Sequence, residues 1–242
     1  MKINKTFLIV ILILFFILTS FSQSKKWLLV PHKINHNSLQ FDIDSYWKKG
    51  WTPVGISAFT NQRIHVIYVK GYSAFYQNWK LAWYVNSDRV KSDIQNKISQ
   101  GWLPKGVSFV GKYFYVLYLK SKSNIRAWKI AFSEVDSEST VEFINDYTIS
   151  GFIPFAITEY KQKMWFLFLK FSNVNFRSWK IEHYSVNDDL LRNKVNNITL
   201  SDSATDSISS GSSQFGSCRI LNNGAWSFIS FNTLDQIESF ID

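Results

Sequence analysis

Hydrophobic and polar positions follow two different rhythms in succession along this chain. The segment that starts at Trp79 alternates with a period of two, which predicts a half-buried strand with one side formed by Trp79, Leu81 and Trp83. A helix is predicted next, because apolar residues recur at the spacing of one helical face, at Val90, Ile94 and Ile98. Gly101 follows, at a position where glycine commonly ends a helix.

Two further strands complete this unit. The first is entered through a proline, since a strand can begin with a residue that donates no hydrogen bond, and is expected at Val107–Val110. The second, Phe114–Leu119, is apolar on both faces, so it is expected to be covered on both sides. Lys120 follows this strand and is expected to be exposed to solvent. The unit is therefore predicted to be β-α-β-β.

The same landmarks recur about every fifty residues, which is the signature of a repeat protein. The recurring elements are a tryptophan strand (Trp27, Trp79, Trp128, Trp179), a glycine-aromatic step (Gly50-Trp51, Gly101-Trp102, Gly151-Phe152) with a proline two places on, and a strand that ends in lysine (Lys70, Lys120, Lys170). We therefore predict an α+β fold of four tandem β-α-β-β repeats with mainly antiparallel strands and one shared core. The repeats span approximately 25–77, 78–126, 127–177 and 178–242, and either close into a pseudo-fourfold ring or propeller-like body or remain an open arc.

The fourth repeat departs from the others. It lacks the glycine-aromatic-proline step and carries instead a Ser-rich stretch over residues 200–213, which is expected to form an unpacked loop. Two strands are predicted beyond it, Cys218–Leu221 and Ala225–Phe231, joined at Asn222-Asn223-Gly224. A short amphipathic helix is expected at the end, formed around Leu234, Ile237 and Ile241.

The first 22 residues have the pattern of a secretory signal peptide. Two lysines precede an apolar run from Phe7 to Leu18, and small Ser20 and Ser22 follow. The run is too short to cross a bilayer as a helix, so cleavage after Ser22 and a secreted or periplasmic protein of residues 23–242 are expected, with an uncleaved anchor as the alternative. No transmembrane span is expected after cleavage, and the lone Cys218 excludes an internal disulfide.

The glycine-aromatic-proline step, the Tyr-x-Lys strand ends and the tryptophan strands resemble the bacterial tandem repeat domain. That domain is found in secreted proteins such as polyglycine hydrolases, where it precedes a serine hydrolase domain. The likeness covers about residues 25–232 and implies a secreted repeat module. No serine hydrolase domain is expected after the repeats, so the resemblance implies no active site in this sequence. A looser similarity to hemopexin-type four-bladed propellers is disfavoured by the missing terminal cysteine pair and the different aromatic spacing.

The candidates for catalysis and metal binding have structural explanations that we favour. His32 and His36 have the spacing of two metal ligands on one helical face, but the region is a predicted turn without an obvious third ligand. Asp42 and Asp44 could pair for acid–base chemistry, yet acids near a helix start commonly cap it. We therefore predict no catalytic residues, no metal and no cofactor.

The candidate ligand-binding residues are basic and aromatic. The formal net charge of +9 favours anionic partners, although dispersed lysines would also produce it. Equivalent positions would bring three lysines to one rim, and less periodic aromatics could contact a ligand beside them: Lys70, Lys120, Lys170, Tyr72, Tyr76 and Trp47.

These patterns favour a secreted, non-catalytic binding or scaffold module for a glycan, a cell-wall polymer or a protein partner. An anionic glycan or a protein is the expected ligand class, and nucleic acid is not favoured. The alternative is an inhibitor or immunity-type protein that occupies a secreted hydrolase or toxin.

Overall fold

Antiparallel three-stranded sheets make up most of this chain. The computed structural model describes residues 27–60, 63–70, 76–121, 125–134, 137–161, 163–172, 175–184, 212–219 and 226–234. Within these ranges there are four such sheets and three helices. The predicted α+β class with mainly antiparallel strands is confirmed.

Three successive segments share the order strand, helix, strand, strand. The first contains β1 (Trp27–Lys33), α1 (His36–Lys48), β2 (Trp51–Thr60) and β3 (Arg63–Lys70). The second contains β4 (Asn78–Tyr84), α2 (Ser87–Ser99), β5 (Trp102–Val110) and β6 (Tyr113–Lys120). The third contains β7 (Ile125–Glu134), α3 (Ser137–Ile149), β8 (Ile153–Tyr160) and β9 (Lys163–Phe171). The described part of the fourth contains β10 (Asn175–Tyr184), β11 (Ser212–Arg219) and β12 (Trp226–Leu234).

The last strand of each segment lies in the middle of its sheet. The orders are β1-β3-β2, β4-β6-β5, β7-β9-β8 and β10-β12-β11. Residues 114–119 of β6 are buried without interruption, as are residues 64–69 of β3 and 164–169 of β9. These are the strands that are apolar on both faces in the sequence, and the prediction that both sides are covered is confirmed.

Each helix begins and ends through local chemistry. The Asn35 side chain accepts hydrogen bonds from the backbone N–H groups of Asn37 and Ser38, both at 3.1 Å, and so caps α1. Asp42 and Asp44 lie well inside α1, so the expectation that they cap it is wrong. The reason is that Asn35 already holds the extended position next to the free N–H groups. Gly101 follows α2 with a φ of +76°, which an L-residue with a side chain rarely adopts.

The strand β5 starts earlier than the sequence predicts. β5 begins at Trp102, before Pro104, and not at Val107. A proline is tolerated here because β5 is the edge strand of its hydrogen-bonded sheet, and a bulge between Pro104 and Gly106 shifts the register. The same irregularity occurs at Pro53 and at Pro154.

The fourth sheet also corrects two expectations. Ser212 and Ser213, assigned to the Ser-rich loop, are the first residues of β11, which pairs antiparallel with β12. Leu234 is the last residue of β12 and does not start a helix. The rest of the predicted terminal helix, the Asn222–Gly224 turn and the signal segment lie outside the described residues.

The sheets meet through one edge strand each, and we call these four the inner strands: β2, β5, β8 and β11. β2 lies beside β5, β5 beside β8, and β11 beside both β8 and β2. The approach is close at Gly106, where an added Cβ would lie 2.9 Å from the backbone nitrogen of Ile56. The Phe109 backbone N–H donates to Thr158 Oγ1 at 2.8 Å across the next boundary. Among the helices of the described ranges, none is both long and apolar enough to cross a membrane.

Candidate functional site

The repeated tryptophans connect neighbouring segments. Trp79 Nε1 on β4 donates to Asp44 Oδ1 on α1 at 3.2 Å, and Trp128 Nε1 on β7 donates to Gln95 Oε1 on α2 at 2.8 Å. Asp44 and Gln95 are each the ninth residue of their helix. Trp79 is only 8% exposed, in agreement with the preference for a core role over a sugar-stacking platform. What the sequence did not show is the hydrogen bond to the preceding helix.

Asp42, a candidate for acid–base chemistry, belongs to a row of three hydrogen-bonded side chains that connects α1 to β1 and β3. Its carboxylate lies 3.1 Å from His32 Nδ1, and His32 Nε2 lies 3.1 Å from the Tyr68 hydroxyl. Burial lowers the pKa of His32, although Asp42 opposes this, and burial also raises the pKa of Tyr68. A neutral tyrosine that donates to a neutral imidazole, which donates to Asp42, satisfies every group. Tyr68 and His32 are buried, whereas the side chain of Asp42 at the other end is 46% exposed.

The equivalent position in the second segment has a simpler pair. The Tyr118 hydroxyl donates directly to Asp93 Oδ2 at 2.7 Å. In the third segment both partners are aromatic hydrocarbons, with the rings of Phe143 and Phe168 6.0 Å apart. The helix residue and the strand residue therefore change together from segment to segment, which indicates that Asp42 and Asp93 serve packing.

His36 does not join His32. Its ring stacks on Trp83 of the second segment at 4.5 Å, and its Nδ1 lies 3.0 Å from the Tyr115 hydroxyl. Burial lowers the pKa of His36. In the described part of the chain, no three side chains of the metal-binding types come together. His36 therefore acts here as a contact between two segments.

The three predicted rim lysines occupy equivalent places at the ends of β3, β6 and β9. Each ammonium lies over the aromatic ring of its own glycine-aromatic step: Lys70 is 5.6 Å from Trp51, Lys120 5.4 Å from Trp102 and Lys170 5.7 Å from Phe152. Two of them also donate to helix-end carbonyls, Lys120 to Gln100 O and Lys170 to Ser150 O, the latter at 2.8 Å. Positive charge there offsets the negative end of the helix dipole.

The predicted aromatic partners do not gather around these lysines. Tyr76 is only 5% exposed and lies in the core, Trp47 is half-buried against the core, and Tyr72 lies outside the described residues. The structure instead places the lysines beside Trp51, Trp102 and Phe152. The shared period of the lysine and the glycine-aromatic step was the signal that could have identified this pairing.

Other lysines join the same region. Lys129 Nζ lies 5.2 Å from the Phe152 ring, so two ammonium groups, those of Lys129 and Lys170, share one ring. In the second segment Lys80 faces Lys97; burial and then this neighbouring lysine lower the pKa of Lys80, against a weaker pull from Asp93. We call Lys80, Lys97, Lys120, Lys129 and Lys170 the helix-end lysines. Sequence reasoning named only two of them.

One lysine lies in the interior. Lys105 on β5 is 5% exposed, and its Nζ lies 5.1 Å from the Phe155 ring and 5.8 Å from the Tyr76 ring. Burial lowers the pKa of Lys105 to about 7. The equivalent residues on β2 and β8 are Val54 and Phe155. Lys105 is therefore a charged residue at a position that the other segments fill with hydrocarbon.

Comparison with known proteins assigns no family to this chain. No protein-family model matches it, and no curated protein sequence matches it significantly. The function is therefore inferred from the geometry alone.

Proposed function

We propose that this chain is an exported, non-catalytic binding or scaffold module of the tandem-repeat type, with a glycan, a wall polymer or a protein as its ligand. The observation that supports this most directly is the equivalent placement of a lysine over an aromatic ring in three successive segments. A repeated surface of this kind suits a ligand that is itself repetitive, because several weak contacts then act together.

The hydrogen bonds of the two candidate catalytic carboxylates agree with this proposal. Asp44 accepts a hydrogen bond from Trp79, and Asp42 accepts one from His32. Both carboxylates thus have partners that hold the helix α1 in place.

We further propose that the four sheets close into a ring around the inner strands. The proximity of β11 to both β8 and β2 supports closure, since an open arc would leave β2 without a neighbour on that side. A closed body would hold the lysine-aromatic pairs at fixed mutual distances. The ligand would then bind to a surface that needs little ordering.

Small-angle X-ray scattering on the protein lacking residues 1–22 tests closure. A compact body of this length is expected to have a radius of gyration of about 17 Å. A markedly larger value, with the scattering profile of an elongated particle, would contradict the ring and favour an open arc of sheets.

A glycan array tests the proposed function. The same protein, labelled on a C-terminal tag, is expected to bind one group of related glycans at micromolar concentration or below. A heat-unfolded sample serves as the control for nonspecific adsorption. Absence of binding to every glycan and to isolated cell-wall polymers would contradict the glycan form of the proposal and leave a protein partner.

A further inference from the structure

Lysines crowd together at the ends of α2 and α3. Lys80 on β4 pairs with Tyr118 and lies near Lys97 in the last turn of α2, and Lys129 holds the equivalent place on β7, where it pairs with Phe168. The ammonium groups of Lys129 and Lys170 lie 5.2 Å and 5.7 Å from the centroid of the Phe152 ring. Two neighbouring segments therefore each place a group of lysines at the same end of the sheet, beside the end of the helix.

Acidic partners do not resolve this crowding. In the part of the chain that the structure describes, the lysine ion pairs join Lys91 to Asp88 and Lys163 to Glu134, and neither involves a helix-end lysine. Asp93 lies near Lys80, but its hydrogen bond is with Tyr118. Among the described residues, the positive charge of the helix-end lysines is therefore balanced by no ion pair.

Helix capping explains only some of the helix-end lysines. One ammonium at each helix end offsets the dipole, and Lys120 and Lys170 already donate to the terminal carbonyls of α2 and α3. Lys80, Lys97 and Lys129 are additional. Lys97 lies in the last turn of α2, where a cation is favourable, but Lys80 and Lys129 are exposed strand residues whose charge can attract an anion.

We propose that the helix-end lysines bind an acidic polysaccharide whose carboxylate or sulfate groups contact successive segments. This rests on the proposed function and names its ligand class. A polymer fits better than a single small anion, because the lysine groups recur on two neighbouring segments. A polysaccharide fits because half-buried Trp102 adjoins Lys120, and an aromatic ring offers an apolar surface on which the C–H face of a sugar can pack.

Heparin, a sulfated polysaccharide, is the probe. The triple variant Lys80→Gln, Lys97→Gln, Lys129→Gln removes charge without touching the two capping lysines. The matched control Lys33→Gln, Lys112→Gln, Lys161→Gln makes the same change in net charge on exposed lysines at the opposite ends of the strands. Affinity is measured by titration calorimetry at several salt concentrations, and circular dichroism confirms that each variant is folded.

The helix-end variant is expected to bind heparin at least about tenfold more weakly than the wild type, with a smaller dependence on salt, while the control changes affinity less than about threefold. Equal losses in both variants would show that net charge alone is responsible and would overturn the proposal. Stronger binding to double-stranded DNA than to heparin would assign the surface to nucleic acid instead. Failure to bind any polyanion, together with binding to a neutral glycan on the array, would overturn this proposal and leave the proposed function standing.

Discussion

Replacing Lys105 by methionine is expected to stabilise the protein by about 1–4 kcal/mol at pH 7, because hydrocarbon of similar volume often replaces a buried charge, together with any partner of that charge, with a gain in stability. The ammonium of Lys105 lies between two aromatic rings in the interior, and its pKa falls to about 7 from an ordinary value of 10.5. Folding must therefore either bury a charge or release a proton. Methionine has a similar length and no charge, and Val54 and Phe155 show that the equivalent positions accept hydrocarbon. Urea denaturation at pH 7 measures the difference.

The pH dependence provides an independent check. Between about pH 7 and 10.5 the unfolded chain holds the Lys105 proton and the folded chain does not, so wild-type stability rises with pH in this window. Below about pH 7 both states are protonated, and the full cost of burial is present. The Lys105→Met variant is expected to lose this rise. Equal stability of the two proteins at pH 7, with parallel pH profiles, would contradict the assignment of Lys105 as a buried, destabilising charge.

Replacing Trp79 by alanine is expected to destabilise the protein by about 3–5 kcal/mol. Trp79 is 8% exposed, packs in the core and donates to Asp44 of the preceding segment. The substitution therefore leaves a cavity at a boundary between segments and an unpaired carboxylate. Thermal or urea denaturation measures the change.

Trp79→Phe separates the two contributions, because it keeps an aromatic ring and removes the N–H donor. Its expected cost is about 1 kcal/mol from the hydrogen bond, with some additional loss of packing. Asp44→Ala should cost a similar amount, and combining it with Trp79→Phe should add little, since both changes remove the same interaction. Full additivity of the two would show that the bond at 3.2 Å contributes nothing to stability.

The elements of the fold could be predicted where their periodicity is local. The helix with Val90, Ile94 and Ile98 is α2, with Val90 and Ile94 fully buried. Pro104 predicts a strand that starts after it, but β5 begins at Trp102, because an edge strand with a bulge accepts proline in its interior. That tolerance depends on the order of strands in the sheet, which the sequence pattern does not contain.

The candidate site was less predictable, since its contacts join distant elements. Lys80 and Lys97 lie on a strand and a helix, and their proximity depends on how α2 packs on its sheet. An acidic residue such as Asp42 is typical of a helix start, but α1 begins at His36 and Asp42 lies in its interior, because the sequence pattern does not fix the first residue of this helix. By contrast, the equivalence of Lys70, Lys120 and Lys170 followed from the repeat period alone and matches their placement at the ends of β3, β6 and β9. Their role in binding stays a prediction.

The paired changes at the helix–strand contact limit how this protein can be re-engineered. Two compatible pairs occur at this contact. One is polar, Asp93 with Tyr118, and the other is apolar, Phe143 with Phe168. A chimaera that inherits α3 but keeps β6 would set a phenyl ring against a phenol that has lost its acceptor. In chimaeras of these segments, a helix and the middle strand of the same segment should therefore be exchanged together. Although the segments share one fold, a helix from one segment does not fit the strand of another.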